Sequence, residues 1–324
     1  KAFDIMMEFN VNGIPVIDSN GYLKGMLTHR DLRYYNDINA LISSVMTPFD
    51  KLVTGKHNLS LKEAETLICK NKIEKLPLID DNKKLKGLIT YKDVQKNIDF
   101  PYAAKDLHNR LLAGAAVGVG DDARKRVPLL IENNVDVIVV DTAHGHSKNV
   151  GDTIKWIKSN YDVTVVGGNV ATGDGAKFLS DSGADIVKVG VGPGSICTTR
   201  IVAGIGVPQL TAVEDAKKAV LNYNTTVISD GGIRYSGDIV KALAAGADAV
   251  MLGNLFAQTQ EAPGEVIQLQ GKTYKSYRGM GSIDAMKLGS KDRYGQGGIS
   301  DDKLVPEGIV GTVPYRGQVK DICY

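Results

Sequence analysis

The sequence predicts an α/β protein whose larger part is a barrel of parallel strands and whose amino-terminal part is a duplicated small module. Three observations point there. From Gly114 onward, short β-branched runs alternate with helical stretches. Glycines cluster directly after those runs. Residues 13–31 recur, with the same spacing, at 75–93.

The duplication comes first along the chain. GIPVIDSNGYLKGMLTHRD is repeated as KLPLIDDNKKLKGLITYKD, so that Pro15 matches Pro77, Gly25 matches Gly87, Thr28 matches Thr90 and Asp31 matches Asp93. Each copy reads as a strand, a polar turn, a second strand and a helix opened by Thr-x-x-Asp. Amphipathic helices are expected ahead of the copies, at 2–9 and 61–70. The pattern resembles a tandem pair of CBS modules (a Bateman module) over residues 1–98, the first copy shortened and the second covering about 42–98. Such pairs bind purine nucleotides and regulate an attached enzyme; a purely structural, degenerate pair is the alternative.

The second part, 99–324, supplies strands at 115–119, 135–141, 163–169, 186–191, 226–230 and 249–252. Helices are expected at 123–133, 153–160, 173–182, 213–222 and 236–245. Gly-Ala-Asp (183–185, 246–248) or Asn-Val-Asp (134–136) ends a helix and starts the next strand. Apolar strands without alternation belong to a parallel sheet covered on both faces. Short connections with glycines after strands favour a (β/α)8 TIM barrel over a doubly wound open sheet. Six βα units are visible where eight close a barrel, so the first two are expected to precede Lys1. The polar, glycine-rich stretch 271–311 reads as a long structureless segment, a mobile flap over a working site.

Composition bounds the function. A net charge of +2 on 324 residues gives no footprint for nucleic acid or an anionic membrane, and no apolar run reaches the length of a membrane span. Three scattered cysteines do not make a disulfide framework and fit a reducing, cytoplasmic compartment.

The segment VGVGPGSICTTR follows a strand. Gly190, Gly192 and Gly194 let backbone N–H groups approach an anion, Ser195 adds a hydroxyl donor, and Cys197 sits among those donors as a candidate nucleophile. A small buried apolar cysteine is the bland alternative, and it is the expectation for Cys69 and Cys323. The loops Asp230-Gly231-Gly232-Ile233-Arg234 and Leu252-Gly253-Asn254 follow the last two strands, where such barrels bind phosphate. Asp230 suits ribose hydroxyls, or a turn. Asp141 closes another strand and suits a cofactor ribose. The His144-x-His146 pair after it reads as a metal site only with further ligands, and His29, His57 and His108 lie in or near the duplicated module. In the flap, Tyr277-Arg278-Gly279-Met280-Gly281 offers amides to a nucleobase edge and Glu307 can share a proton with a ring N–H. Lys291-Asp292-Arg293-Tyr294, taken alone, is a solvated charge run.

Together VGVGPGSICTTR, SDGGIRYSGDIVKALAAGADAVMLG, YKSYRGMGS, DRY and LVPEG resemble the inosine-5′-monophosphate (IMP) dehydrogenase family over 114–315, and the CBS pair fits the same family. The resemblance implies oxidation of IMP to xanthosine monophosphate (XMP) with NAD. It makes Cys197 the nucleophile, Arg293 the group that activates water with Tyr294 beside it, and Thr199 a proton relay. It assigns Ser195, Asp230, Gly231, Gly232, Gly253, Asn254, Tyr277, Arg278, Gly279, Met280, Gly281 and Glu307 to IMP. It places Asp141, Asn169, Gly190, Val191 and Gly192 on the NAD side, and the carbonyls of Gly192, Gly194 and Cys197 at a potassium ion. It implies a homotetramer in which a neighbour's carboxy-terminal segment completes the potassium site, through residues beyond Tyr324. Asn254 departs from the serine that the family often carries. The rivals are a GMP reductase-like barrel and a nucleotide-sensing regulatory protein with an inactive barrel; the CBS pair, the Arg293–Tyr294 flap and Glu307 favour the dehydrogenase.

Overall fold

The structure, a computed structural model, describes residues 1–33, 37, 40–107 and 109–323. It divides into two compact units, Lys1–Ala104 and Lys105–Tyr324.

The first unit runs α1 (Ala2–Glu8), β1 (Gly13–Ile17), β2 (Leu23–Thr28), α2 (His29–Arg33), α3 (Ile42–Val45), β3 (Thr47–Pro48), β4 (Gly55–Lys56), α4 (Leu61–Asn71), β5 (Lys75–Ile79), β6 (Leu85–Thr90) and α5 (Tyr91–Asp99). The two hairpins share one register: Pro15 lies opposite Met26 and Pro77 opposite Leu88, and each breaks register before its last residue, Ile17 or Ile79. The turns are set by one side chain each. Asp18 Oδ1 accepts the N–H groups of Asn20 and Tyr22, and Asp80 Oδ1 those of Asn82 and Lys84, all at 2.9–3.0 Å. Thr28 and Asp31, like Thr90 and Asp93, exchange reciprocal bonds at the helix start. The copies also join each other: Leu23 N–H donates to the Lys83 carbonyl at 3.1 Å and Leu85 N–H to that of Gly21 at 3.0 Å.

The second unit begins with β7 (Gly114–Val117), α6 (Asp121–Glu132), β8 (Val137–Asp141), α7 (Lys148–Asn160), β9 (Thr164–Val170) and α8 (Gly173–Asp181). It continues with β10 (Ile186–Val189), α9 (Thr199–Val202), α10 (Gln209–Ala219), β11 (Thr226–Asp230), α11 (Ser236–Ala244) and β12 (Ala249–Met251). The six strands are parallel and stand in sequence order, β7 to β12. A doubly wound sheet reverses its order at a switch point; this one does not, so the sheet is the arc of a barrel. Val140, Val165, Val187 and Val227 pack under Ile154, Leu179, Val213 and Ala216 from the helices.

The recurring Asp before a strand has a definite job. Gly183, Gly246 and Asn134 take positive φ at the helix ends (98°, 107° and 59°). The Asp two residues on then accepts the N–H that starts the preceding strand: Asp185 from Val165 at 2.7 Å, Asp248 from Val227 at 2.8 Å, Asp136 from Ala113 at 2.8 Å. Lys158 and Lys217 close two of these staples as ion pairs at 2.9 and 2.8 Å.

Three expectations are corrected. Helix α7 starts at Lys148 rather than 153, because Asn149, Gly151 and Asp152 are weak helix formers that hide its first turn. Helix α10 starts at Gln209 rather than 213, directly after Pro208. The stretch 271–311 is not structureless. After α12 (Asn254–Ala257), strands β13 (Val266–Leu269), β14 (Lys272–Arg278) and β15 (Val310–Pro314) form an antiparallel sheet. Between β14 and β15 lie α13 (Ile283–Lys287) and 3₁₀ turns at Ser290–Tyr294 and Asp301–Lys303, and α14 (Val319–Cys323) follows β15. Strand β14 reads Lys-Thr-Tyr-Lys-Ser-Tyr-Arg; its stability comes from pairing on both edges, which a search for apolar runs does not register.

Candidate active site

Because the strands are parallel, the loops after β8, β9, β10, β11 and β12 emerge at one end of the sheet. Every candidate residue outside the flap lies there. Gly190 makes this packing possible: its φ is +150° and a Cβ would collide with the Asp230 carbonyl, so the β10 and β11 loops touch backbone to backbone.

The half-buried Cys197 stands at the head of a hydrogen-bonded chain. Its Sγ lies 3.2 Å from Thr199 Oγ1, which donates to Glu307 Oε2 at 2.7 Å; the Glu307 carbonyl is 3.6 Å from the sulfur. The flap segment is laced to the cysteine loop by Thr198 N–H to the Glu307 carbonyl (2.9 Å) and Ile309 N–H to the Ile196 carbonyl (3.0 Å). The sequence suggests a ring N–H as the partner of Glu307; one of its carboxylate oxygens accepts from Thr199.

Ser195, Gly194, Asp230, Gly231, Gly232, Gly253, Asn254 and Tyr277 converge on one cavity of about 100 Å³, joined by Ile233, Arg234 and Met251. Asn254 Nδ2 donates to Ser195 Oγ at 3.1 Å, so the asparagine faces the same cavity as the serine. Burial pushes the Tyr277 phenol above its usual range, and the charge of Asp230 adds to this.

At the end of β8, Asp141 makes an ion pair with Arg293, and Ala143 N–H donates to the Arg293 carbonyl at 2.9 Å. The flap arginine is therefore seated on the carboxylate that the sequence gives to a cofactor. Its guanidinium lies 5.9 Å from the centre of the Tyr294 ring. Burial pushes the Tyr294 phenol upward, with Arg293 opposing. Gly281 lies against Tyr294: a Cβ there would be 3.0 Å from its Oη. Asn169 Nδ2 donates to the Gly190 carbonyl and to Asp230 Oδ2, both at 2.8 Å. Arg200 Nε donates to the Val191 carbonyl at 3.1 Å and its stem packs on Gly192.

Some candidates stand apart. Arg278 lines an adjoining cavity, with Phe256 and Glu265, that shares Gly253 and Tyr277 with the first. Met280 is exposed, and its carbonyl accepts Ser290 Oγ at 2.6 Å, next to Gly279 at the end of β14. His146 packs on Phe178 with ring centres 4.9 Å apart. Among the described residues no three His, Cys, Asp or Glu gather as a metal site. His108 and Tyr324 lie outside the described residues.

Sequence reasoning missed Lys188. It is buried at 3% side-chain exposure and its Nζ donates to Asp141 Oδ1 at 2.9 Å, to Asp230 Oδ2 at 2.8 Å and to Asn169 Oδ1. A lone lysine inside the apolar run Ile-Val-Lys-Val was the available signal.

Comparison with known proteins points to one family. Residues 41–324 match the family described as IMP dehydrogenase / GMP reductase domain, and residues 1–36 match the CBS domain. Inosine-5′-monophosphate dehydrogenase of Aquifex aeolicus is 56% identical over all of this chain and 66% of its own length. That of Bacillus subtilis is 52% identical over all of this chain and 67% of its own length. The chain thus spans about two-thirds of these relatives. A crystal structure of GMP reductase from Trypanosoma brucei with guanosine 5′-monophosphate superposes with a TM-score of 0.86 at 41% identity, covering 97% of this chain and 65% of that one. Among the described residues no helix is long and apolar enough to cross a membrane. The chain belongs to the IMP dehydrogenase / GMP reductase family.

Proposed function

We propose that this chain supplies most of the catalytic barrel, preceded by a tandem CBS pair over 1–98, of an enzyme that oxidises IMP to XMP with NAD. The observation that carries the reading is the Cys197–Thr199–Glu307 chain lying beside an arginine-bearing flap. Two further βα units would close the sheet between β12 and β7.

The 5′-phosphate fits the cavity built from Ser195, the glycines and Asn254, and Asp230 faces the ribose. Cys197 Sγ bonds to C2 of the hypoxanthine while its proton passes through Thr199 Oγ1 to Glu307. NAD, when bound, supplies the acceptor for the hydride lost from C2. Asp141 and Asn169 stand at adjacent strand ends as donors and acceptors suited to its ribose, with Gly190 to Gly192 beside them. A thioimidate then joins C2 to the sulfur. Water adds to C2, the C–S bond breaks, the thiol regains a proton and XMP leaves. Arg293 and Tyr294 orient and activate that water. Arg293 holds Asp141 in the closed flap, so flap and cofactor compete for one carboxylate. The carbonyls of Gly192, Gly194 and Cys197 are hard oxygen donors for potassium; that of Gly194 already accepts the Cys197 N–H at 3.1 Å. A homotetramer, a purine nucleotide on the CBS pair and a cytoplasmic location, fitting three thiols outside any disulfide, complete the reading.

GMP reduction is the second reading, favoured by the Trypanosoma brucei structure. That match covers both units of this chain, so the amino-terminal pair does not separate the two activities, contrary to expectation. The flap arginine on Asp141 does, because reduction needs no hydrolytic water. The test follows NADH when the full-length protein meets IMP, NAD⁺ and K⁺. NADH is expected, and Cys197→Ala abolishes it. NADPH consumption with GMP and no NADH from IMP makes the enzyme a reductase. Nucleotide binding without either reaction makes it a regulatory protein.

A further inference from the structure

Among the described residues, Lys188 is the one buried ammonium at the working end of the six-stranded sheet, and neither the nucleophile nor the flap uses it. Its place is built into the strand pairing. Val187 and Val189 turn toward the helices, so Lys188 turns to the other face of β10. On neighbouring β9, a Cβ at Gly168 would lie 2.8 Å from Lys188 Cβ; the glycine leaves room for the lysine stem. An ammonium has three N–H groups, and three acceptors meet it: Asp141 Oδ1, Asn169 Oδ1 and Asp230 Oδ2. Asn169 in turn donates to Asp230 Oδ2, closing the network on the substrate side. Two carboxylates thus approach within 2.9 Å of a single nitrogen. Without that charge they would face each other unshielded at low exposure.

We propose that Lys188 is a positioning residue that sets the substrate-side Asp230 and the cofactor-side Asp141 with one ammonium and thereby couples the two ligand sites. The inference rests on the functional reading above. The ammonium fixes which carboxylate oxygens remain free. Asp141 Oδ2, left free by Lys188, is the atom that Arg293 takes in the closed flap. Cofactor binding and flap closure therefore act on a carboxylate tied, through one nitrogen, to the group facing the substrate ribose.

The test uses the full-length enzyme carrying Lys188→Met or Lys188→Arg. It reads KM for IMP and NAD, kcat, IMP affinity by calorimetry without NAD, and the melting temperature. Lys188→Met is expected to raise both KM values and weaken IMP binding about tenfold or more, the loss typical of a hydrogen bond to a charged group. Lys188→Arg restores a part of each. Asp141→Asn is expected to change IMP affinity by about threefold when Lys188 is present and to leave it unchanged in Lys188→Met, as coupled neighbours require. Should Lys188→Met fail to fold, Lys188→Gln carries the same comparison. Unchanged ligand constants with only a lower melting temperature, or strictly additive effects of the two changes, overturn the proposal while the unmutated enzyme still makes NADH. If the unmutated enzyme neither binds nor oxidises IMP, the functional reading itself fails and this inference with it.

Discussion

Thr199→Val isolates the chain that leads away from Cys197, the proposed nucleophile. Valine keeps the shape and β-branching of threonine and deletes only Oγ1, in a side chain buried to 9% exposure. Two bonds go with it: the 3.2 Å contact to Cys197 Sγ and the 2.7 Å bond to Glu307 Oε2. The second ends on a carboxylate, and bonds to charged groups contribute about 1.5–3 kcal/mol. At about 1.4 kcal/mol per factor of ten, the step that moves the thiol proton slows by about 10- to 100-fold. Thr199 does not line the cavity assigned to the phosphate, so IMP affinity should stay within about twofold. Stopped-flow absorbance separates the steps, since the NADH burst reports attack and hydride loss ahead of hydrolysis. A slower burst with unchanged IMP affinity is expected. A burst at the unmutated rate, or a loss confined to IMP binding, refutes the relay.

Arg293→Ala should leave the burst within about threefold and cut the steady-state rate by about 10²-fold or more, because the guanidinium is assigned to hydrolysis alone; rapid-quench and steady-state assays together read this, and equal loss in both phases contradicts the assignment. Gly190→Ala should destabilise the fold by about 1–3 kcal/mol in denaturant titration, since a Cβ at φ +150° runs into the Asp230 carbonyl. Asp248→Ala removes the staple on Val227 N–H and Lys217, at a cost of about 1 kcal/mol after solvent screening, read as a lower melting temperature. Burial alone raises the Asp248 carboxyl, but Lys217 and the Val227 N–H outweigh it and hold it below its ordinary value. Its stabilisation is thus fully present above the unfolded-state carboxyl range and is lost as pH falls through the lower folded value. The penalty of Asp248→Ala should therefore shrink toward zero in acid melts, and a constant penalty down to acid pH would sink this account.

Strand and helix alternation, the repeated hairpin and the Asp before β8, β10 and β12 were legible in the sequence because each depends on residues a few positions apart. The apolar period, the Asx turn at Asp18 and the positive φ of Gly183 are local matters. The loops that carry Cys197, Ser195 and Asp230 were legible for the same reason, since parallel strands deliver their following loops to one end whatever the barrel's detail. Which of their atoms meet was decided by the tertiary structure. Thr199 and Glu307 are 108 residues apart, and their bond exists because the flap sheet folds back over the β10 loop. Taken alone, Lys291-Asp292-Arg293-Tyr294 reads as a solvated charge run, and the resemblance gives Arg293 a role but no partner; only the folded chain sets its guanidinium on Asp141. Lys188 shows the limit most plainly. In the sequence it is one polar letter in an apolar strand; its meaning lies in the carboxylates and the amide that three other parts of the chain bring to its nitrogen. Backbone periodicity is a short-range property and is written residue by residue, whereas the partners of a buried charge are chosen by packing across the whole sheet.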